Sequence, residues 1–255
     1  MNLFARFLAN AFRAAVVTSA LLLVTSDSRA EFLVPDSSTL PFQDWTRATP
    51  NSVYAQWEQF TVPFGGAGNA PDVDSYPTSG SPSGSAALIY GNESSAFLTG
   101  GGNIFSFAAA TDFTAIVPSY GNGAGWNTRF VAQLRTLGNL LDLDSVQLTY
   151  SDGTDNHTVA PIYYDELYTE AQGGFGGALV DHLFVFDING YDPSSAFLDF
   201  NATSSSMSLD RVAIDTFTST SALTPVPEPA AAVLLALGLG AFGLWRWRLA
   251  RKSSV

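Results

Sequence analysis

From residue 31 to residue 225 the chain is a succession of short aromatic and β-branched runs separated by Gly, Asn, Asp and Ser. Runs of this length between turn formers are typical of β-strands, and the region lacks the 3.6-residue apolar period of amphipathic helices. About ten such runs predict two antiparallel sheets packed face to face. We therefore predict an all-β fold, a two-sheet sandwich. The length suits one domain with a substantial core or two small ones, and the sequence leaves both open.

The clearest local prediction is a β-hairpin. Residues 145–150 alternate polar and apolar, which places Val146, Leu148 and Tyr150 on one face. An Asp-Gly pair then supplies the turn, and residues 157–164 return as the second strand.

Other segments give simpler predictions. Residues 45–47 and 54–62 predict strands, residues 65–85 a long loop, and residues 130–137 a strand rather than a short helix. Residues 206–218 predict a last strand with a bulge near Asp210.

The N-terminus has the order of regions found in a secretory signal peptide. Arg6 and Arg13 precede and flank an apolar run over residues 14–24, which is too short for a permanent membrane span. The segment closes with small residues up to Ala30, as a signal-peptidase cleavage site requires. We therefore predict cleavage between Ala30 and Glu31 and a signal peptide over residues 1–30. The alternative is an uncleaved anchor.

A second apolar segment, residues 230–245, approaches the lower limit for a transmembrane helix, about 17 residues. Basic residues follow it, and such residues stay on the cytoplasmic side of a membrane. These residues form a stop-transfer tail of Arg246, Arg248, Arg251 and Lys252. The sequence thus predicts a single C-terminal transmembrane helix with residues 31–225 facing outward.

The tripeptide Pro227-Glu228-Pro229 stands immediately before this helix. Prolines keep the chain extended there, in a form that a processing enzyme can grip. The tripeptide, the helix and the basic tail together resemble the PEP-CTERM family of sorting signals, although the family's arginine cluster is usually denser. The resemblance implies that residues 226–255 are a signal recognised by an exosortase-like enzyme. It also implies transient residence in the inner membrane, then placement at the cell surface or outside it. Whether the tail is cleaved or stays as an anchor is open.

Charge excludes several classes of partner. All of the 23 acidic residues except Asp27 and Glu228 lie within residues 31–225. The cations of that region are Arg47, Arg129, Arg135 and Arg211. Such a region repels nucleic acids and acidic polymers, so we predict no nucleic-acid partner. The chain has no cysteine, so disulfides and thiolate chemistry are excluded.

No catalytic constellation is visible, and we predict a protein that is not an enzyme. The two histidines, His157 and His182, lie in strand-like runs, and we assign both structural roles. Asp181 precedes His182 and points to the opposite face of the strand, so the two do not form a dyad. A glycosidase needs only two carboxylates, and Asp142 and Asp144 share a face if extended.

A few residues are candidates for ligand contacts. Asp152 and Asp155 in the hairpin turn, and Asp210 in the last strand, are weak candidates for structural calcium, and no other cofactor is expected. Trp126 lies in a glycine-rich loop and is the candidate for glycan contact. Trp45 and Trp57 are predicted to be in the core.

The segment Leu209-Asp210-Arg211-Val212 resembles the closing strand of jelly-roll carbohydrate-binding modules, which implies a jelly-roll-like sandwich. We expect a structural, non-enzymatic surface or matrix protein. The alternatives are a carbohydrate-binding protein of the exopolysaccharide matrix and a secreted hydrolase. The ligand and the oligomeric state are left open.

Overall fold

The computed structural model describes residues 45–75, 82, 86–173 and 176–226, and every helix-or-strand element within them is a strand. The all-β prediction is confirmed. The strands are β1 Ser52–Trp57, β2 Val73–Ser75, β3 Leu88–Gly91, β4 Phe97–Leu98, β5 Ile104–Phe105, β6 Asp112–Pro118, β7 Gly123–Ala124, β8 Asn127–Gly138, β9 Leu141–Ser151, β10 Asn156–Val159, β11 Tyr163–Ala171, β12 Ala178–Ile188, β13 Tyr191–Asp192, β14 Ser195–Ala202 and β15 Met207–Ser219.

Two principal sheets build the domain, and all their strand pairs are antiparallel. The large sheet has the order β11-β12-β8-β15-β1-β2, with β5 pairing the first residues of β15 and β4 pairing β5. The small sheet has the order β10-β9-β14-β6-β3, and β7 pairs β13 separately. This is a sandwich-like all-β fold, as the spacing of the apolar runs predicts.

The core lies between the two sheets. Strand β14 shows the alternation: Leu198 and Phe200 are buried in the core, while Phe197, which precedes them, is 41% exposed on the other face. Trp57 is fully buried and donates its indole N–H to the carbonyl of Asn69 at 2.9 Å. Trp45 is also buried, so the prediction that both tryptophans lie in apolar clusters is confirmed.

Strand β8 is buried on both of its faces, which is unusual for a strand of an antiparallel sheet. Its outer face carries charges, and each is paired with the residue directly opposite on β12. Arg129 lies 2.7 Å from Asp187, and Arg135 lies 2.6 Å from Asp181. Both contacts are bidentate, the strong geometry for a guanidinium and a carboxylate.

The predicted hairpin is confirmed as β9 and β10, with Val146 and Leu148 buried and Tyr150 half-buried on one face. The predicted return over residues 157–164 is wrong in its second half. Strand β10 ends at Val159, and β11 pairs β12 in the large sheet. Pro161 stands between them, where the missing N–H ends the ladder and the chain crosses between the sheets.

Two other strand predictions and one loop prediction need correction. Residues 45 and 46 lie in no strand, Arg47 begins a turn, and residues 58–62 lie beyond the end of β1. The predicted strand over residues 130–137 is confirmed as part of β8. The predicted loop over residues 65–85 contains β2, which pairs β1 as an edge strand. The predicted bulge is confirmed, because the register of β15 on β8 shifts between Leu209 and Arg211.

Several predictions fall outside the described residues. These are the signal peptide with its Ala30–Glu31 cleavage site, the Pro227-Glu228-Pro229 tripeptide, the apolar segment 230–245 and the basic tail after it. Within the described ranges, none of the elements is a helix that has the length and hydropathy to cross a membrane.

The Arg135–Asp181 pair gives a stability prediction. Asp181→Leu removes the carboxylate that pairs with the buried guanidinium of Arg135, and should lower the free energy of unfolding by about 3–5 kcal/mol. Adding Arg135→Met should restore most of that loss, because two apolar side chains then replace the pair. Urea unfolding followed by tryptophan fluorescence measures both changes.

The matched control is Asp144→Leu, the same change at an exposed carboxylate of β9, which should stay within about 0.5 kcal/mol of the wild type. If Asp181→Leu costs no more than this control, the buried pair does not stabilise the large sheet.

Candidate functional site

The segment before the first strand and the segment after the last strand both contact the outer face of the large sheet. Trp45 stacks on Phe217 of β15, with ring centroids 5.0 Å apart and an interplanar angle of 4°. Trp45 and the buried side chains of Val131, Leu183 and Val185 form a second apolar cluster, the flank cluster, and Val226 packs against it. The chain therefore contacts the same face where it enters the sandwich and where it leaves it.

Arg47 fixes the entering flank to this face. Its guanidinium donates to both carboxylate oxygens of Asp215 at 2.7 and 2.8 Å, and its Cζ atom lies 3.4 Å from the centroid of the Tyr54 ring. Burial raises the pKa of Asp215 to about 6, against the opposing effect of the Arg47 charge. Burial likewise raises the pKa of the Tyr54 hydroxyl to about 12.

All four arginines of residues 31–225 are used in ion pairs on this face. Besides the three pairs above, Arg211 Nη1 lies 3.7 Å from the carboxylate of Glu58. Because the described part of the chain contains no other lysine or arginine, every other part of its surface carries carboxylates and no compensating cation. The exposed surface of the sandwich is therefore acidic, which disfavours anionic ligands.

A cleft of about 550 Å³ opens at one end of the outer face. It lies where β8 and β11 end, β15 begins and β5 joins the sheet. Phe105, Ser208 and Leu137 are directly opposite one another on three adjacent strands and form its floor. The described lining consists of Phe105, Phe107, Leu137, Gly138, Asn139, Gln172, Gly173, Gly176, Ser206 and Ser208.

Three phenylalanine rings form a cluster at one side of the cleft. Two of them line it, and the third packs beside them. The rings of Phe97, Phe105 and Phe107 lie 4.5–5.8 Å apart between centroids, in stacked and edge-to-face arrangements. Phe97 is 41% exposed and Phe107 is 67% exposed, so the cluster presents aromatic surface to solvent. Sequence reasoning missed this site. The i, i+2 spacing of Phe105 and Phe107 places both on one strand face, but does not reveal that the face is open.

The floor also contains a buried hydroxyl. Ser208 is only 7% exposed, and its Oγ has no hydrogen-bond partner among the described residues. It is one of seven buried side-chain nitrogen and oxygen atoms of this kind in the described part of the chain, and each costs free energy. Because the Oγ atom is shielded from solvent, Ser208 belongs to the floor and not to the polar surface of the cleft.

Gly138 lets the backbones approach closely beside this floor. Its φ is +91°, a value that favours glycine, and a Cβ there would collide with the carbonyl oxygen of Ser206. The adjoining loop is held by Asn139, whose side-chain amide donates to the Ser205 carbonyl at 2.6 Å. The end of the cleft is thus built by backbone contacts and not by bulky side chains.

Trp126, the residue predicted for glycan contact, lies elsewhere. It is half-buried at the start of β8, whereas the cleft is at the other end of that strand. The structure does not bring Trp126 to the cleft. A glycan contact at Trp126 stays a prediction.

The calcium candidates do not converge. Asp152 closes the β9–β10 turn: its Oδ1 accepts the backbone N–H of Thr154 and of Asp155 at 2.8 Å, and its Oδ2 lies 2.8 Å from His157 Nε2. These bonds, the Asp155 N–H first, lower the pKa of Asp152 to about 2. Asp210 lies at the bulge of β15, in the other sheet. No three His, Cys, Asp or Glu side chains in the described ranges form a metal-binding group, and calcium stays a prediction.

His182 lies on the inner face of β12. Its Nδ1 is 3.1 Å from the hydroxyl of Tyr164, and its Nε2 is 3.3 Å from the hydroxyl of Thr136. Asp181 is engaged by Arg135 instead, on the outer face. Burial lowers the pKa of His182 to about 4, so the ring is neutral at pH 7. His157 is partly exposed and bonded to the turn residue Asp152.

Comparison with known proteins identifies only the end of the chain. Residues 225–252 match the family described as PEP-CTERM protein-sorting motif. No curated protein and no solved structure matches the chain. The chain carries a PEP-CTERM sorting motif, which marks it as an exported protein sorted at the membrane or cell surface through its C-terminus.

The neutral state of His182 gives a pH prediction. Its pKa is about 4 in the folded state and about 6.5 when unfolded, so the unfolded state binds the proton more tightly. Its contribution to stability is complete above pH 6.5 and is lost as the pH falls toward 4, by about 3 kcal/mol in full.

His182→Gln keeps hydrogen-bonding groups near both hydroxyls but cannot take up the proton. The free energy of unfolding of the wild type should therefore fall relative to that of the variant between pH 7 and pH 4, by urea unfolding. Asp215 has a raised pKa and the opposite dependence, but it is common to both proteins and cancels. A constant difference between the proteins across this range would contradict the assignment.

Proposed function

We propose that this protein is a non-enzymatic component of the bacterial cell surface or extracellular matrix. In this proposal a signal peptide over residues 1–30 exports it and an exosortase-like enzyme processes it at the C-terminal motif. The observation that carries the proposal is the match of residues 225–252 to the sorting motif, directly after an acidic, cation-poor β-sandwich.

The junction between domain and motif supports this proposal. The matched region begins at residue 225, and Val226 still packs against the flank cluster. Pro227 is the next residue, so no linker separates the sandwich from the tripeptide. Sorting of the tail therefore carries the folded domain with it, and the domain is the part delivered.

The non-enzymatic assignment is supported by the chemistry of the cleft. None of its described lining residues is titratable, so the lining offers no general acid, and no general base that would activate Ser206 or Ser208 as a nucleophile. Asp142 and Asp144, the carboxylates considered for a hydrolase, lie at the start of β9 in the small sheet. His182, the buried histidine, bonds two hydroxyls and no carboxylate. These observations favour binding over hydrolysis.

A second candidate function is binding of the matrix carbohydrate. The uncharged cleft with its exposed phenylalanine rings favours it, since sugar rings pack their C–H faces on aromatic side chains as other apolar surfaces do.

The sorting proposal is tested by replacing Pro227, Glu228 and Pro229 with alanine in cells. The triple variant should be exported, because residues 1–30 are intact, but should keep its C-terminal tail and remain in the membrane fraction. Immunoblotting with tags before and after the tail measures both. The control variant Thr220→Ala/Ser221→Ala, in the exposed loop after β15, should be processed like the wild type. Unaltered tail removal and location in the triple variant would refute the proposal.

A further inference from the structure

We infer that the cleft formed by Phe105, Phe107, Leu137 and Ser208 is a binding site for an uncharged saccharide. The inference rests on the second candidate function, carbohydrate binding by the domain, and assigns it a site and a ligand class. Trp126 is not part of this site.

The aromatic surface suits one face of a sugar ring. A pyranose presents C–H groups on its faces and hydroxyls at its edges, so it needs an apolar wall beside polar groups. Phe105 and Phe107 pack edge to face with centroids 4.5 Å apart, so their rings offer two surfaces at a steep angle. Phe107 is 67% exposed, more than any other large apolar side chain in the described ranges. Exposed aromatic surface beside a cleft is typical of ligand sites.

One polar side chain suits the edge of the same ring. Gln172 lines the cleft just after the end of β11, on the opposite side of the floor from Phe105. The side-chain NH2 of Asn139, the other amide of the lining, already donates to Ser204 and Ser205. An amide pairs with sugar hydroxyls without requiring any charge.

Charge decides the class of saccharide. The described lining contains neither cations nor carboxylates, and the four arginines are held in ion pairs with Asp215, Asp187, Asp181 and Glu58. A uronate or sulfate group therefore finds no cation in the cleft and meets an acidic surface around it. The ligand is a neutral glycan.

The cleft is separate from the root of the sorting tail. Leu137 on its floor and Val131 in the flank cluster lie six residues apart on β8, which is about 20 Å along the strand. A ligand in the cleft does not touch Val226, so binding and sorting can be tested by different variants.

The test uses the full chain in phospholipid nanodiscs, which avoids sugar-based detergents. Glycan arrays and titration calorimetry compare neutral oligosaccharides of glucose, galactose, mannose and N-acetylglucosamine with alginate and heparin as acidic probes. Phe107→Ala should weaken binding of the neutral ligand about tenfold, because a stacking surface is lost. Gln172→Ala should weaken it about fivefold through loss of one hydrogen bond.

Two controls separate binding from folding. Gln172→Ala truncates a half-buried side chain just after the end of β11, so its unfolding midpoint should stay close to that of the wild type. Phe64→Ala removes another exposed phenylalanine, 45% exposed and outside the cleft lining, and should leave affinity unchanged.

The outcomes decide between the inference and its competitors. Binding of a neutral glycan that weakens in both cleft variants and not in Phe64→Ala supports it. Glycan binding that neither variant changes, or preference for alginate or heparin, overturns the site while leaving carbohydrate binding in place. Folded protein that binds no glycan overturns both, and the sorting proposal is still judged by tail processing. Loss of affinity for protein-free phospholipid vesicles in Phe107→Ala, without glycan binding, would make the cluster a membrane contact and overturn the inference.

Discussion

The charge pairs between β8 and β12 set the register on which the outer face of the large sheet depends. Arg129 faces Asp187 and Arg135 faces Asp181 across the ladder, with both arginines almost fully buried. Side chains alternate between faces, so a slip of one residue would turn these charges toward the apolar core. A buried charge without its partner costs several kcal/mol, which makes the observed register strongly preferred. The cleft floor depends on a second register, that of β8 on β15, which places Leu137 opposite Ser208.

Much of the local structure could be predicted because strands leave a period of two in the sequence. The β9–β10 hairpin shows it in Val146, Leu148 and the Asp-Gly turn, and the bulge near Asp210 shows as a break in the alternation. Which strands pair with one another could not be predicted, since strand pairing depends on contacts between distant segments. Residues 157–164 look like one strand, and only the sheet order shows that Pro161 separates two strands in different sheets. Strand β14 also escaped prediction, although it is central to the small sheet.

The candidate site could not be predicted for the same reason. Phe105 and Ser208 are far apart in sequence, and their positions on one face follow from the pairing of β5 with β15. The sequence suggested Trp126, because a tryptophan among glycines is the most evident aromatic outside the strand-like runs. Composition did predict the charge of the surface. It could not show that the scarce arginines are held within one face, which removes them as contacts for anionic ligands.

One face of the large sheet therefore carries two features that differ in their physical requirements. Near one end, the flank cluster holds Trp45 and Val226 by apolar burial, and the matched sorting motif starts within that contact. At the other end, the cleft keeps aromatic surface open to solvent. The Arg135–Asp181 pair lies between them, in the intervening rows of the sheet. Because a packed sheet with a fixed register does not deform easily, occupancy of the cleft leaves the root of the tail in place. The proposed ligand site and the start of the sorting motif therefore lie near opposite ends of one sheet face.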